Sequence, residues 1–268
     1  MSPMQLRHPP AAHVAVVFLT PRCNMSCPYC GSDEGFSELS RQGAWALVEH
    51  LSQQGFESVV FGGGEPTLWR GGLREICAAA RARGLLVQVG TNALDLPADA
   101  GEWREVDRWV LPLEAGEAEA HNRLRPSKGS HHAAILKALD LFSAHPSGVT
   151  VSSVARLGGE ADLESAARLL ESKVRSGLRL HSWTLYRFQP MGRHGTANAG
   201  RFALGPGEWE ATASELRRRH PRLPIILRPD MMHSKQVAFF WGSQKGLWRQ
   251  GPGSWQGPLE LDSPLALA

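Results

Sequence analysis

The sequence contains no long hydrophobic segment and carries little net charge. No apolar run approaches the roughly 18 residues that a helix needs to span a bilayer, and residues 1–10 lack the apolar stretch of a signal peptide. The net charge of +3 over 268 residues gives no reason to expect nucleic acid or an acidic membrane surface as a partner. These absences predict a cytoplasmic protein that binds neither membranes nor nucleic acid.

Cysteine is also scarce, and its distribution is uneven. The chain has four cysteines, and three of them, Cys23, Cys27 and Cys30, lie close together. Such crowding is a poor disulfide framework for a chain of this length, and in a cytosolic protein it indicates metal binding or catalysis. The rest of the composition, 42% hydrophobic and 21% charged, is ordinary for a globular protein. The cysteine cluster is therefore the first indication of function.

Short apolar runs alternate with amphipathic segments from residue 13 onward. The runs are rich in β-branched residues, and the segments between them have helical spacing. This alternation is typical of βαβ units with a parallel sheet. Six such units predict an α/β fold built as a partial (β/α)6 barrel with parallel strands. The predicted strands cover residues 13–19, 58–61, 85–89, 108–113, 149–154 and 183–188.

Three regions are predicted along the chain. Residues 1–12 form a polar N-terminal arm, residues 13–193 the partial barrel, and residues 194–268 a C-terminal extension. Gly, Pro and Arg become frequent in the extension, where a helix is predicted over residues 207–220 and an aromatic segment follows at 237–241. We expect the extension to pack against the barrel and cover its mouth.

The segment RCNMSCPYC, residues 22–30, carries the three neighbouring cysteines at C-x3-C-x2-C spacing. Three thiolates on one loop can converge on an inorganic cluster, and a cubane of four irons held by only three thiolates keeps one iron open. A structural zinc site usually has four ligands, but the remaining cysteine, Cys77, lies in an apolar helical stretch and is expected to be buried. The spacing favours an iron–sulfur cluster over zinc or over three unrelated core cysteines.

This loop resembles the signature of the radical S-adenosylmethionine (radical SAM) superfamily. The resemblance implies a [4Fe–4S] cluster on Cys23, Cys27 and Cys30, with the open iron chelated by the amino and carboxylate groups of S-adenosylmethionine. It also implies that the aromatic residue before the last cysteine, Tyr29, lies against the adenine. Because Cys77 alone cannot hold an auxiliary cluster, one [4Fe–4S] cluster and S-adenosylmethionine are the expected cofactors.

Two further elements of the superfamily follow the second and third predicted strands. Gly63, Gly64 and Glu65 match the start of its GGEP element, which in the family meets the methionine amino group. Thr91 and Asn92 resemble its T-N-G element, although an alanine replaces the glycine. Because the carboxyl ends of barrel strands meet at one face, these residues are expected beside the cysteine loop.

The fourth and sixth predicted strands end in further matches. Glu114 stands where relatives carry the aspartate of S-x-D, which holds the ribose or carboxylate of the cofactor, but Pro112 replaces the serine and offers neither a hydroxyl nor an N–H. His121 and Arg125 resemble an H-x-x-x-R stretch, in which the arginine is the candidate for a charge-assisted bond to the cofactor carboxylate. Gly192 belongs to a P-x-G-R element, where backbone near the glycine touches the adenine.

The resemblance covers residues 13–193, with the elements in the expected order, and it implies a reaction. A low-potential donor of flavodoxin or ferredoxin type reduces the cluster, whose electron cleaves S-adenosylmethionine into methionine and a 5′-deoxyadenosyl radical. That radical removes a hydrogen atom from an unactivated C–H bond of the substrate. The alternative is a non-enzymatic iron–sulfur electron carrier, which would have no use for polar groups such as Glu65 and Arg125 above an open iron.

The sequence leaves the substrate open among three classes. A viperin-like enzyme acting on a nucleotide or similar small molecule is favoured by size and by the extension, although Thr150 and Thr184 stand where those relatives use lysines for a triphosphate. A modifier of a ribosomally made peptide is the second class, and an activase of a glycyl-radical enzyme is the third. Polar candidates for substrate contact are Tyr186, Arg187, Arg193, His194 and Lys235.

Overall fold

A computed structural model describes residues 13–32, 35–231, 234–244, 246–250 and 256–259. The predicted N-terminal arm, residues 1–12, lies outside the described residues, and so does the side chain of Arg193. Over the described ranges, no helix is long and apolar enough to cross a membrane.

One sheet forms the centre of the described structure. Its strands are β1 (Val14–Thr20), β2 (Ser58–Gly63), β3 (Leu86–Gly90), β4 (Arg108–Pro112), β5 (Val149–Ala155), β6 (Leu180–Arg187), β7 (Ile225–Arg228), β8 (Val237–Ser243), β9 (Gly246–Gln250) and β10 (Gln256–Pro258). Their spatial order is β10-β9-β8-β1-β2-β3-β4-β5-β6-β7. Neighbours from β8 through β1 to β7 are parallel, whereas β8–β9 and β9–β10 are antiparallel.

This mixed α/β fold with a mostly parallel sheet confirms the predicted fold class, and the sheet is open, with β7 and β10 at its edges. All six predicted strands are present, but four more lie in the region predicted only as an extension. The aromatic segment of that region forms β8, which pairs in parallel with β1, Val14 lying opposite Val237. The extension thus continues the sheet beside its first strand, and its cover over the barrel mouth stays a prediction.

The helices connect the parallel strands. Their bounds are α1 (Arg41–Gln53), α2 (Leu73–Ala82), α3 (Ala118–Leu124), α4 (His131–Leu141), α5 (Glu160–Arg175), α6 (Gly192–Ala197), α7 (Ala199–Phe202) and α8 (Pro206–Arg219). Serine side chains start two of them, since Ser40 accepts the N–H of Gly43 (3.0 Å) and Ser130 accepts that of Ala133 (3.2 Å). The second cap fixes the position where α4 begins, directly beside the candidate site.

Alternate residues of β1 and β3 pack into the core, whereas the middle of β6 is buried on both faces. Ala15, Val17 and Leu19 of β1 are fully buried, as the two-residue period of a strand requires. The indole of Trp109 on β4 stacks on Phe142 just after α4, with ring centroids 4.8 Å apart. Because β1 to β7 run parallel to one another, all their carboxyl ends lie along one edge of the sheet. The active sites of barrel enzymes are found at this edge.

Candidate active site

The loops that follow β1 to β4 border one cavity of about 380 Å³. The cavity lies at the carboxyl ends of the strands, the edge that the sequence predicts for the chemistry. Most of the predicted cluster and cofactor residues line it. They are Cys23, Cys27, Tyr29, Cys30, Gly63, Gly64, Glu65, Thr91, Asn92 and Arg125.

Two predicted cofactor residues lie beside the cavity rather than in its wall. Glu114 is buried and hydrogen-bonded to Arg125, which does line the cavity. Gly192 has a left-handed φ of +66°, and a Cβ there would overlap the backbone of Gly31 in the cysteine loop. Among the predicted substrate contacts, His194 lines the cavity, whereas Tyr186, Arg187 and Lys235 do not.

The three cysteine thiols are free and border this cavity. A bond from the N–H of Cys30 to the carbonyl of Cys27 (3.1 Å) closes a turn in their loop. Burial raises the pKa of the Cys27 thiol to about 11, while the positive charge of Arg125 opposes the rise. Burial also raises the pKa of Cys23. Because metals bind the thiolate, ligation at these positions must displace the thiol protons.

The polar surroundings of the thiols fit an iron–sulfur cluster. The amide nitrogen of Asn92 lies 3.9 Å from the Cys23 sulfur, and a guanidinium nitrogen of Arg125 lies 3.9 Å from the Cys27 sulfur. Hydrogen bonds to ligating sulfurs and nearby positive charge are the means by which proteins stabilise a cluster and set its potential. Among the described residues, no three His, Cys, Asp or Glu side chains converge closely enough to hold a single metal ion.

Glu65 ties the loop after β2 to the loop after β3. One carboxylate oxygen accepts the hydroxyl of Thr91 (2.6 Å), and the other accepts the backbone N–H of Asn92 (2.7 Å). The hydroxyl of Thr67 donates to the same oxygen as Thr91 does (2.9 Å). Burial raises the pKa of Glu65, and these hydrogen bonds oppose the rise. Its carboxylate therefore fixes the relative positions of two loops that border the cavity.

Gly64 allows the loop after β2 to lie directly against the cysteine loop. Its N–H donates to the Thr20 carbonyl (2.7 Å), and the N–H of Glu65 donates to the Arg22 carbonyl (2.7 Å). A Cβ at Gly64 would overlap the carbonyl oxygens of both Arg22 and Pro21. The glycine is thus required by backbone packing next to the cysteines, apart from any contact with a ligand.

Glu114, Arg125 and Tyr29 form a second polar group, in which the carboxylate and the phenol are buried and the guanidinium is partly exposed. Two guanidinium nitrogens of Arg125 donate to one carboxylate oxygen of Glu114 (3.0 and 2.9 Å), and the other oxygen accepts the N–H of Val154 (2.9 Å). The guanidinium carbon lies 5.5 Å from the ring centroid of Tyr29. The buried hydroxyl of Tyr29 makes no hydrogen bond within the described residues. This arrangement places a cation and an aromatic ring at the cavity wall beside Cys27.

Two fully buried histidines connect the loops after β3 and β4. The backbone N–H of Glu114 donates to Nδ1 of His121 (3.1 Å), so the proton of this neutral ring is on Nε2. That nitrogen lies 2.7 Å from Nδ1 of His131, whose Nε2 lies 2.9 Å from the carbonyl of Asn92. All three hydrogen bonds of this histidine chain can form when both rings are neutral and protonated on Nε2. Sequence reasoning anticipated His121 only as a family match and missed His131.

We expect the stability of the protein to fall as the pH drops below about 6.5. Burial lowers the pKa of His131 to about 4 and that of His121 further still, whereas in the unfolded chain both titrate near 6.5. Between these values the unfolded state binds the extra protons, so each histidine lowers the free energy of unfolding by about 1.4 kcal/mol per pH unit. Urea unfolding at pH 7 and pH 5 checks this; equal stabilities would contradict it.

Ser152 is a cavity residue that the sequence did not single out. It lies opposite Pro112 in the register of β4 and β5, and both residues line the cavity. The hydroxyl that Pro112 cannot supply is therefore present on the neighbouring strand. The alternation of β5 could have placed Ser152 on this face, but only a known register puts it beside Pro112.

An open α/β barrel with its polar groups at the carboxyl ends of parallel strands is the architecture of a barrel enzyme. A family model described as the radical SAM superfamily matches residues 17–170, which is more than half of the chain. The chain belongs to the radical SAM superfamily. It is accordingly an enzyme of a family that uses S-adenosylmethionine and an iron–sulfur cluster.

Similar proteins in this superfamily differ in what they act on. An Fe-coproporphyrin III synthase of Methanosarcina barkeri is 32% identical over 128 residues, 46% of this chain and 32% of that protein. A PqqA peptide cyclase of Ruegeria pomeroyi is 27% identical over 213 residues, 77% of this chain and 54% of that protein. The matches thus span about a third to a half of these relatives.

Solved structures show the same fold at low sequence identity. SuiB of Streptococcus suis bound to S-adenosylmethionine superposes with a TM-score of 0.66 and 11% identity, covering 83% of this chain and 48% of that one. The protein anSMEcpe with bound S-adenosylmethionine gives a TM-score of 0.60 and 15% identity, covering 79% and 63%. These likenesses support the open-barrel fold.

Proposed function

We propose that Cys23, Cys27 and Cys30 hold one [4Fe–4S] cluster and that the enzyme uses it to abstract hydrogen from an organic substrate. The observation that carries this proposal is that three free thiols share one cavity with two buried, hydrogen-bonded polar groups from the loops after β2, β3 and β4. When bound, the cluster supplies the electron that splits S-adenosylmethionine into methionine and a 5′-deoxyadenosyl radical, and the radical takes a hydrogen atom from the substrate.

The remaining site residues bind and orient S-adenosylmethionine in this proposal. Arg125 places its cation at the cavity wall for the cofactor carboxylate, while Glu65 holds the two neighbouring loops in place. The ring of Tyr29, which lines the cavity and is held from behind by an apolar cluster with Leu124, Phe188 and Phe202, is the surface that we propose for the adenine. The other contacts proposed for the cofactor come from Gly63, Gly64, Thr91, Asn92, Glu114 and Gly192.

An electron carrier is the competing function, and the arrangement of charge counts against it. Glu65 and Glu114 are both almost completely buried, and burying carboxylates is costly unless they are bonded as these are. A protein that only stores an electron gains nothing from two such groups around an open iron. A protein that binds the charged amino acid moiety of S-adenosylmethionine gains an oriented ligand.

For the substrate we propose a peptide in preference to a nucleoside triphosphate. Among the described residues that line the cavity there is no lysine, and its arginine, Arg125, is the residue already proposed for the cofactor carboxylate. A triphosphate needs several cationic or N–H donors, whereas this wall continues with the small or apolar side chains of Val110, Ser152 and Val154. Similar proteins include the PqqA peptide cyclase and SuiB, whose structure is also known bound to its precursor peptide SuiA.

The assay for this function is reductive cleavage of S-adenosylmethionine. The protein is purified without oxygen, reconstituted with iron and sulfide, reduced with dithionite, and followed for 5′-deoxyadenosine. We expect 5′-deoxyadenosine to form, and short peptides to accelerate it more than nucleoside triphosphates do. A protein with a full cluster that cleaves no S-adenosylmethionine would instead be an electron carrier, and acceleration by triphosphates alone would refute the peptide proposal.

A further inference from the structure

We propose that His121 and His131 are positioning residues, which hold the two halves of the S-adenosylmethionine site in register with each other. This inference rests on the proposed function. The two rings form the hydrogen-bonded chain described above, and both side chains have no exposed surface. Each end of the chain is a backbone atom of a cofactor loop, the N–H of Glu114 at one end and the carbonyl of Asn92 at the other.

Each end of the histidine chain continues to a cysteine. At one end, the side-chain amide of Asn92 donates to Asn24 (2.6 Å) and lies 3.9 Å from the Cys23 sulfur. The N–H of the same residue is bound by Glu65 (2.7 Å). With its carbonyl held by His131, both polar atoms of the Asn92 main chain are fixed from opposite sides. A small shift of His131 would therefore move a side chain that contacts the cysteine loop.

At the other end, Glu114 presents its backbone to His121 and its carboxylate to Arg125. Arg125 also follows α3, and its N–H donates to the carbonyl of His121 (2.9 Å). Its guanidinium reaches to 3.9 Å from the Cys27 sulfur. The position of the cation that we propose for the cofactor carboxylate thus depends on the His121 ring through Glu114, and on the His121 main chain directly.

The chain has a direction, and its geometry allows only one protonation pattern. An extra proton on Nδ1 of His121 would face the backbone N–H of Glu114. An extra proton on Nδ1 of His131 would face the ring Nε2–H of His121. The nearby charge of Arg125 further disfavours protonation of both rings. A rigid, neutral link of defined tautomer is suited to positioning and not to proton transfer.

The test compares variants that keep ring volume but remove the ring nitrogens. His121→Phe and His131→Phe are each expected to weaken S-adenosylmethionine binding to the cluster-loaded protein by about tenfold, the usual effect of losing a partner one step removed from the ligands. The double variant should be no weaker than either single one, because one chain is broken once. His131→Gln, which keeps one donor and one acceptor, should recover most of the affinity.

His132→Phe is the matched control, since His132 is the next residue on α4 and is also buried; its ring packs edge-on against that of His121, with centroids 5.4 Å apart, but makes no hydrogen bond in the chain. Its Kd should stay within twofold of the wild type. If His121→Phe and His131→Phe lose stability but keep the wild-type Kd, the histidines are merely structural and the inference fails. Additive losses in the double variant would also overturn it.

A second measurement tests the hydrogen-bonded link directly and does not depend on S-adenosylmethionine binding. Nitrogen-15 spectra of histidine-labelled, oxidised protein at pH 7 should show both rings neutral and protonated on Nε2. Resonances are identified by their loss in the Phe variants. An imidazolium, or a proton on Nδ1 of either ring, would refute the chain. If the wild type bound no S-adenosylmethionine, the proposed function would fail, while these spectra would still decide the hydrogen-bonded link.

Discussion

Replacing Cys23, Cys27 and Cys30 together by alanine is expected to abolish cluster binding and reduce 5′-deoxyadenosine formation to background. The three thiols are the cysteines that line the cavity, and an iron–sulfur cluster cannot be held without its thiolates. Iron and sulfide content per chain, measured after anaerobic reconstitution, reports cluster binding directly. The yield of 5′-deoxyadenosine after reduction reports the chemistry.

Cys77→Ala is the control for this loss. Cys77 is fully buried in α2, far into the core and away from the cavity wall, so its removal should cost about 1 kcal/mol of stability or slightly more and leave the iron content unchanged. A triple variant that retained a full cluster would show that other groups bind the iron. Loss of iron in Cys77→Ala would contradict the proposed ligand set.

Replacing Arg125 by methionine is expected to lower the free energy of unfolding by about 3–5 kcal/mol. Glu114 is almost completely buried, and the loss of its partner would leave a buried carboxylate without a compensating charge. Binding of S-adenosylmethionine should be lost as well, with the cluster still present. Urea unfolding of the cluster-loaded protein measures the first effect, and isothermal titration with S-adenosylmethionine measures the second.

The double variant Glu114→Gln/Arg125→Met separates the two effects. An amide at position 114 still accepts the N–H of Val154 and carries no charge, so much of the lost stability should return. Binding of S-adenosylmethionine should not return, because the cation proposed for its carboxylate is absent. If Arg125→Met alone were as stable as the wild type, the ion pair would not contribute to stability as proposed. If the double variant bound the cofactor normally, the proposed role of Arg125 would be wrong.

Much of the fold could be predicted because each βα unit is a local signal. The run SVVF at residues 58–61 and the helical spacing of residues 73–83 are visible in short windows, and β2 and α2 are found there. The cofactor motifs follow strand ends, so topology alone brings Gly64 and Thr91 together. The fold class and the location of the candidate site follow from these patterns.

The rest depends on long-range pairing that no short window contains. β8 was visible only as an aromatic segment, because its parallel partner β1 lies more than 200 positions earlier in the chain. Ser152 lines the cavity by virtue of its register opposite Pro112. His131 is the first residue of an ordinary-looking helix, and only the turn between α3 and α4 brings it to His121. Each of these features is a property of the packed sheet and loops.

The most direct measurement of the central claim is the contact between the cluster and S-adenosylmethionine. Electron–nuclear double resonance is recorded on the reduced, cluster-loaded protein with S-adenosylmethionine that carries nitrogen-15 in its amino group. We predict a nitrogen-15 coupling to the cluster spin, absent with the unlabelled compound, because the account places that amino group on the open iron. A protein with one full cluster per chain whose spectrum shows no such coupling, and whose resonance is unchanged by S-adenosylmethionine, would contradict the account.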